Sequence, residues 1–233
     1  MKLTADLINS APSYINPLKD RELALRGHKI PMIENLGVTR DLNDAIDLTD
    51  NDITHLTNIP RLPRLKRLFI ARNRLTHVAP TISNSIPNLT TLVLTSNSIS
   101  NLSDLEGLKD LKQLTYLTLL NNPVTRLEYY RPWVIWRIPS VRILDFERVK
   151  QVEREEAAKL FGTPSDPTPL ATKLSTSVAK ARTFEVEATN GKENGRAKLT
   201  AMEREKIVEQ LRSAKTLAEI ERLEQVLRSL ERA

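Results

Sequence analysis

Three histidines, His28, His55 and His77, and no cysteine make up the nucleophile and soft-metal inventory of this 233-residue chain. No partner nucleophile stands beside His28, and His55 and His77 each fall four places after an asparagine, at equivalent turn positions. The chain has no H-E-x-x-H, P-loop, G-x-G-x-x-G or G-x-S-x-G run, and its six glycines are too few for a phosphate-cradling loop system. These features argue against an enzyme, a cofactor or a metal centre. The side chains that do recur with regular spacing are amides: Asn51, Asn73, Asn97 and Asn122, at intervals of 22, 24 and 25 residues. A short amide both donates and accepts. Its chemistry here is to bond turn backbone that would otherwise be buried unpaired.

Each asparagine closes the same phrase. Ile46-Asp-Leu48, Leu68-Phe-Ile70, Leu92-Val-Leu94 and Leu117-Thr-Leu119 precede the four asparagines. Ile53 and Leu56, Leu75 and Val78, Ile99 and Leu102, and Val124 and Leu127 follow two and five places after them. The L-x-L pair alternates, so both apolar side chains leave one face of a short strand and the residue between them leaves the other. The apolar residues after the asparagine are expected to point back into the same core. A period of 22 to 25 with an L-x-x-L-x-L-x-x-N-x-L core marks leucine-rich repeats. The fold class is therefore α/β: a solenoid with a concave parallel sheet, in which stacked neighbours bury what no repeat buries alone. A degenerate first repeat, Leu23-Ala-Leu25 through Ile30, places His28 where the asparagine belongs, as a turn-bonding side chain.

Four regions follow. Residues 1–20 read as an N-terminal cap, with a short helix over Leu3, Leu7 and Ile8 that Thr4 caps and Pro12 ends. Residues 21–162 read as the repeats plus a C-terminal cap, where Tyr130, Trp133, Val134 and Trp136 form an apolar helix that covers the open end of the stack. Residues 163–198 are polar and proline-bearing and read as a largely irregular linker. Residues 199–233 carry amphipathic helices: Ile207 and Leu211 share a face, and a Thr216/Glu219 capping box starts a second helix with Leu217, Ile220, Leu223, Leu227 and Leu230. No apolar run reaches about 18 residues, so no membrane span is expected, and an intracellular location follows.

What remains for function is the concave face. The residues that flank the core leucines supply it: Arg26 on the first strand, Asp47 and Thr49 on the second, and Phe69, Ala71 and Arg72 on the third. Val93 and Thr95 follow on the fourth, Thr118 and Leu120 on the fifth, and Asp145 on the last. The centre is small and apolar and the rims are charged, which suits an inserted helix of a partner protein. Two basic groups lie at the margins. Lys66 and Arg67 sit at one edge of the third strand, and Lys2, Lys19, Arg21 and Lys29 near the N-terminal end. They are either phosphate contacts or a solvated rim. The net charge of +6 fits a nucleic-acid neighbour, while 4% aromatic residues argues against base-stacking platforms.

Several runs carry a more specific likeness. They are Lys2-Leu-Thr-Ala-Asp-Leu-Ile8, Asp20-Arg-Glu-Leu-Ala-Leu-Arg-Gly-His-Lys-Ile-Pro31, Ile33-Glu-Asn-Leu-Gly37, Asp44-Ala-Ile-Asp47, Asn122-Pro-Val124, and Val141-Arg-Ile-Leu-Asp-Phe146 with Glu153-Arg154. Over residues 1–162 the chain resembles the A-prime family of the spliceosomal U2 small nuclear ribonucleoprotein. The resemblance implies a nuclear, non-enzymatic adaptor in pre-mRNA splicing. Its concave sheet would grip a helix of the RRM protein B-double-prime. The pair would bind the 3′ stem-loop of U2 snRNA, with the N-terminal basic residues touching the stem, and residues 163–233 would meet other spliceosome proteins. Another reading is a general leucine-rich-repeat scaffold, for example of the phosphatase-regulatory type, without RNA. A direct RNA binder is a third.

Overall fold

A computed structural model describes residues 1–164 and 166–175. The chain opens with helix α1 (Ala5–Ser10), started by Thr4, whose Oγ1 accepts from the Leu7 N–H at 3.2 Å. Strand β1 (Ser13–Ile15) runs antiparallel to β2 (Arg21–Ala24). The repeats then supply β3 (Ala45–Asp47), β4 (His55–Leu56), β5 (Arg67–Phe69), β6 (His77–Val78), a single helical turn α2 (Ile82–Ser85), β7 (Thr91–Val93) and β8 (Tyr116–Thr118). Helix α3 (Tyr130–Arg137), strands β9 (Ile143–Leu144) and β10 (Glu147–Arg148) and helix α4 (Gln151–Phe161) close the stack.

Eight strands form the main sheet, in the order β1-β2-β3-β5-β7-β8-β9-β10. The steps from β2 to β9 are parallel, and the two end strands are antiparallel. The return segments on the convex side are short and mostly 3₁₀. The 3₁₀ turns lie at Leu36–Thr39, Leu102–Leu108 and Pro123–Arg126. His55 and His77 are in register across a small second sheet of β4 and β6, so they occupy strands rather than turns.

The asparagines bind each coil to the one before it. The Asn97 Nδ2 donates to the carbonyls of Ile70 in the preceding coil and Leu94 in its own, both at 2.9 Å, while its Oδ1 accepts from the Leu75 N–H at 2.9 Å. Asn51 serves Leu25, Leu48 and Ile30 in the same way. Asn73 serves Leu48, Ala71 and Ile53, and Asn122 serves Leu94, Leu119 and Ile99. His28 takes no part in this ladder, because no earlier repeat lies behind it. Just before each asparagine the chain turns a left-handed corner, at Asp50, Arg72, Ser96 and Asn121 (φ 53° to 63°), and the first repeat uses Gly27 there (φ 75°). Glycine adopts that corner without steric cost, whereas the others accept it in exchange for the bonds the corner allows.

Two boundaries differ from expectation. Leu127 is 42% exposed, because the 3₁₀ turn at Pro123–Arg126 redirects the chain before it can reach the core. The linker does not begin at 163. Gly162–Thr163 (β11) pairs with Asp166–Pro167 (β12), and the helical residues after Pro167 place Ala171 in the core with Leu170 and Leu174 against it. Apolar spacing at 170, 171 and 174 sustains packing that the prolines concealed. The remaining linker residues, with Lys180, Arg182 and Phe184, and the amphipathic helices of 199–233 lie outside the described residues.

Asn97→Ala leaves a buried N–H and two buried carbonyls without partners, so it should cost about 3 kcal/mol or more, while Asn84→Ala on the surface should change stability by less than about 0.5 kcal/mol. Denaturant melts of both variants check this. A methyl group on Gly107 would sit 2.4 Å from the Ala79 carbonyl oxygen. Gly107→Ala should therefore cost about 1–3 kcal/mol by overpacking, read as a lower melting temperature.

Candidate partner-binding face

Strand alternation sends three rows of side chains to the concave face. The register aligns Ala24, Asp47, Phe69, Val93 and Thr118 in the middle row. Backbone bonds continue past the strand ends, from Leu25 to Asp47, Leu48 to Phe69, Ile70 to Val93 and Leu94 to Thr118, and carry Arg26, Thr49, Ala71, Thr95 and Leu120 into a second row. A row on the other side holds Glu22, Ala45, Arg67, Thr91 and Tyr116. Starting each strand at its core leucine misses this row; extending the alternation one residue back would have found it.

Some expected members of the face lie elsewhere. Thr118 is fully buried. It stands between Val93 and the chain turn at Asp145, so it contributes floor rather than surface. Asp145 is occupied by the fold. One carboxylate oxygen accepts from the Leu119 N–H at 2.6 Å, in place of a strand carbonyl, and the other accepts from the Tyr130 hydroxyl at 2.6 Å. Burial, and then that bond to Asp145, pushes the Tyr130 phenol far above its ordinary value. Arg72 leaves the face at its left-handed corner and lies 3.6 Å from Asp50. The rest of the middle, Phe69, Ala71, Val93 and Thr95, is half-buried and open to a partner. Beyond Leu120 the trough ends on an aromatic pair, with Phe146 66% exposed and its ring edge-on to Tyr116, centroids 6.3 Å apart.

The two basic groups behave differently. Arg67 is paired to Asp20. Lys66 lies 3.6 Å from Asp44, which also accepts from Arg64 at 3.2 Å and from the Arg21 N–H at 3.1 Å. Burial works to raise the Asp44 carboxyl, but these donors and cations hold it below its ordinary value. Much of the charge at this edge is therefore compensated inside the fold, which the sequence spacing did not reveal. Lys2, Lys19, Arg21 and Lys29 are all exposed, and Lys2 and Lys29 are drawn together by the bond from the Met1 ammonium to the Lys29 carbonyl, 2.9 Å.

The C-terminal cap holds the aromatic end in place. Arg131 on α3 donates to both carboxylate oxygens of Glu153 on α4, at 2.6 and 3.2 Å, and to the Leu144 carbonyl at 3.4 Å. The Arg131 bond, aided by the Lys150 N–H at 2.7 Å and opposed by burial, keeps the Glu153 carboxyl below its ordinary value. The arrangement is a recognition surface: a small-residue floor, an apolar middle and an aromatic end on a rigid sheet.

A family model described as "Leucine-rich repeat" matches residues 1–173. Curated relatives called "U2 small nuclear ribonucleoprotein A'" include one from Aspergillus fumigatus, 56% identical over 93% of this chain and 87% of that protein. The Schizosaccharomyces pombe relative is 46% identical over 97% of each, and the Homo sapiens relative 44% identical over 98% of this chain and 88% of that protein. Among solved structures, one titled "Crystal structure of Drosophila melanogaster SNF/U2A' complex" matches with a TM-score of 0.68 at 42% identity, over 78% of this chain and 99% of that one.

A carboxylate held below its ordinary value stabilises the fold above that value and ceases to do so as pH falls through the folded one. Glu153→Gln should therefore lower the melting temperature at pH 7, and the gap to wild type should close as pH drops below the ordinary glutamate value of 4.5. Thermal melts across that range check the sign.

Proposed function

The chain belongs to the U2 small nuclear ribonucleoprotein A′ family of leucine-rich-repeat proteins, a non-enzymatic part of the spliceosome, and on that premise we propose that its concave sheet holds a helix of an RRM protein of the B-double-prime kind. The pair then binds the 3′ stem-loop of U2 snRNA in the nucleus, during pre-mRNA splicing. The observation that carries this is the face itself. Phe69, Ala71, Val93 and Thr95 form an unbroken, half-buried stripe across neighbouring strands, with charge kept to the rims. The 42% identical Drosophila protein is crystallised as a complex with SNF, which supports a protein partner for this chain.

The trough has no basic stripe, so RNA contacts belong at its margin. Lys2, Lys19, Arg21 and Lys29 are the open cations for that role, ahead of Lys66 and Arg67, which have acidic neighbours at Asp44 and Asp20. The repeat protein thereby adds phosphate contacts to whatever bases the RRM reads. Residues beyond the C-terminal cap are assigned to other spliceosome proteins.

A pull-down from nuclear extract tests this. Wild type should capture one small RRM protein and a stem-loop RNA; Phe69→Glu with Val93→Glu should lose both together, since each buried charge costs several kcal/mol. Equal capture of both by the double variant overturns the reading. RNA retained without the protein overturns it in favour of a direct RNA binder.

A further inference from the structure

The two ends of the trough are chemically unlike. Phe146, Tyr116 and Leu120 line the C-terminal end, and the exposed Arg148, in register with Ile143 next to Tyr116, adds a cation there rather than a carboxylate. At the N-terminal end, β1 adds a strand to the face, with Tyr14 opposite Glu22. The Tyr14 hydroxyl donates to one Glu22 carboxylate oxygen at 2.9 Å, and the Asn16 Nδ2 donates to the other at 2.9 Å. Both partners are neutral, and the Glu22 carboxylate, 9% exposed, has no ion pair among the described residues. One strand further in, Asp47 accepts the Thr49 N–H at 2.9 Å and has no ion pair among the described residues. The nearest cation along the edge row, Arg67, is taken by Asp20. Between Glu22 and Asp47 the floor is made of small residues, Ala24 half-buried and Ala45 fully buried beneath its neighbours.

We propose that this end of the trough is a socket for a lysine or arginine side chain on the partner's helix, and that it fixes the direction in which that helix crosses the sheet. The inference rests on the function proposed above and adds which end of the helix goes where. The physical reason is desolvation. A helix laid over the face strips water from the half-buried Asp47, beside a Glu22 already largely out of water, and two carboxylates without ion pairs become costly unless a cation arrives with the helix. The Tyr14 ring offers that cation a π face as well. Tyr14 senses both carboxylates: its bond to Glu22, then desolvation, then the charges of Glu22 and Asp47 raise the phenol above its ordinary value. A helix inserted the other way round would set its cation on Phe146 and Tyr116 and leave the carboxylates bare. The socket therefore penalises reversal as well as favouring the correct fit.

The test uses the full chain and the RRM protein that it captures, purified, in titration calorimetry at low and high salt. Asp47→Asn keeps an acceptor for Thr49 and should weaken binding about fivefold to tenfold at low salt while flattening its salt dependence. Asp47→Lys should weaken it about a hundredfold, and one Lys→Glu or Arg→Glu change in the partner's helix should restore much of that loss. Tyr14→Phe should weaken binding modestly. Melting temperatures confirm that each variant is folded. The proposal is overturned if Asp47→Asn and Asp47→Lys both bind within about twofold of wild type while Phe69→Glu abolishes binding. If Phe69→Glu also binds like wild type, the helix does not lie on this face, and the function proposed above falls with the socket.

Discussion

A buried amide that is satisfied on every side holds this molecule together. Each ladder asparagine uses both Nδ2 hydrogens and its Oδ1 on backbone atoms, some in its own coil and some in the coil before it. Buried backbone left unpaired costs more than an ordinary hydrogen bond contributes. In the four inner coils the turn below the sheet is therefore held by its asparagine. Fixing the turn fixes the strand above it, and fixing successive strands in one register places Ala24, Asp47, Phe69 and Val93 in one row. The recognition face is thus a by-product of bonds made on the opposite side of each strand.

The ends of the stack are built on a different principle from its middle. A parallel sheet can accept a further strand at either side, and both sides are closed by an antiparallel strand, β1 in front and β10 behind. At the rear, Asp145 supplies a carboxylate where another repeat would supply a carbonyl, and Tyr130 and Arg131 tie that turn to the cap helices. Trp133, Phe161 and Ile138 cover the last apolar layer. Closure has a chemical consequence for the trough. The front strand brings Tyr14 and Asn16 to Glu22, and the rear turn brings Phe146 to Tyr116, so capping the stack is also what makes its two ends different.

Most of the architecture was legible in the sequence because it is periodic. Four in-phase copies give strand, turn and core positions at once, and the cap helix with Thr4 followed from local capping chemistry. The misses have local causes. Leu127 escaped the core because a proline turned the last coil early, and Leu170, Ala171 and Leu174 pack on the core although the prolines before them resemble a linker. The face was harder to read than the fold. Whether a cation is free depends on what another coil brings beside it, as Asp20 does for Arg67 across more than forty residues. Thr118 obeys the alternation and presents no surface, and the Asp145 carboxylate is spent inside the fold, because the final strand departs from the repeat. Composition and spacing carry neither fact.

The asparagine ladder has a direction. Every side chain in it reaches backward, so a coil's N–H at Ile30, Ile53, Leu75 or Ile99 is satisfied only by the coil that comes after it. As the ribosome delivers the chain from its N-terminus, each freshly made turn must wait for its successor before it is complete. The waiting ends in the coil of Asn122, where the equivalent N–H, that of Val124, bonds back to the Ile99 carbonyl at 2.9 Å instead of forward to a later coil.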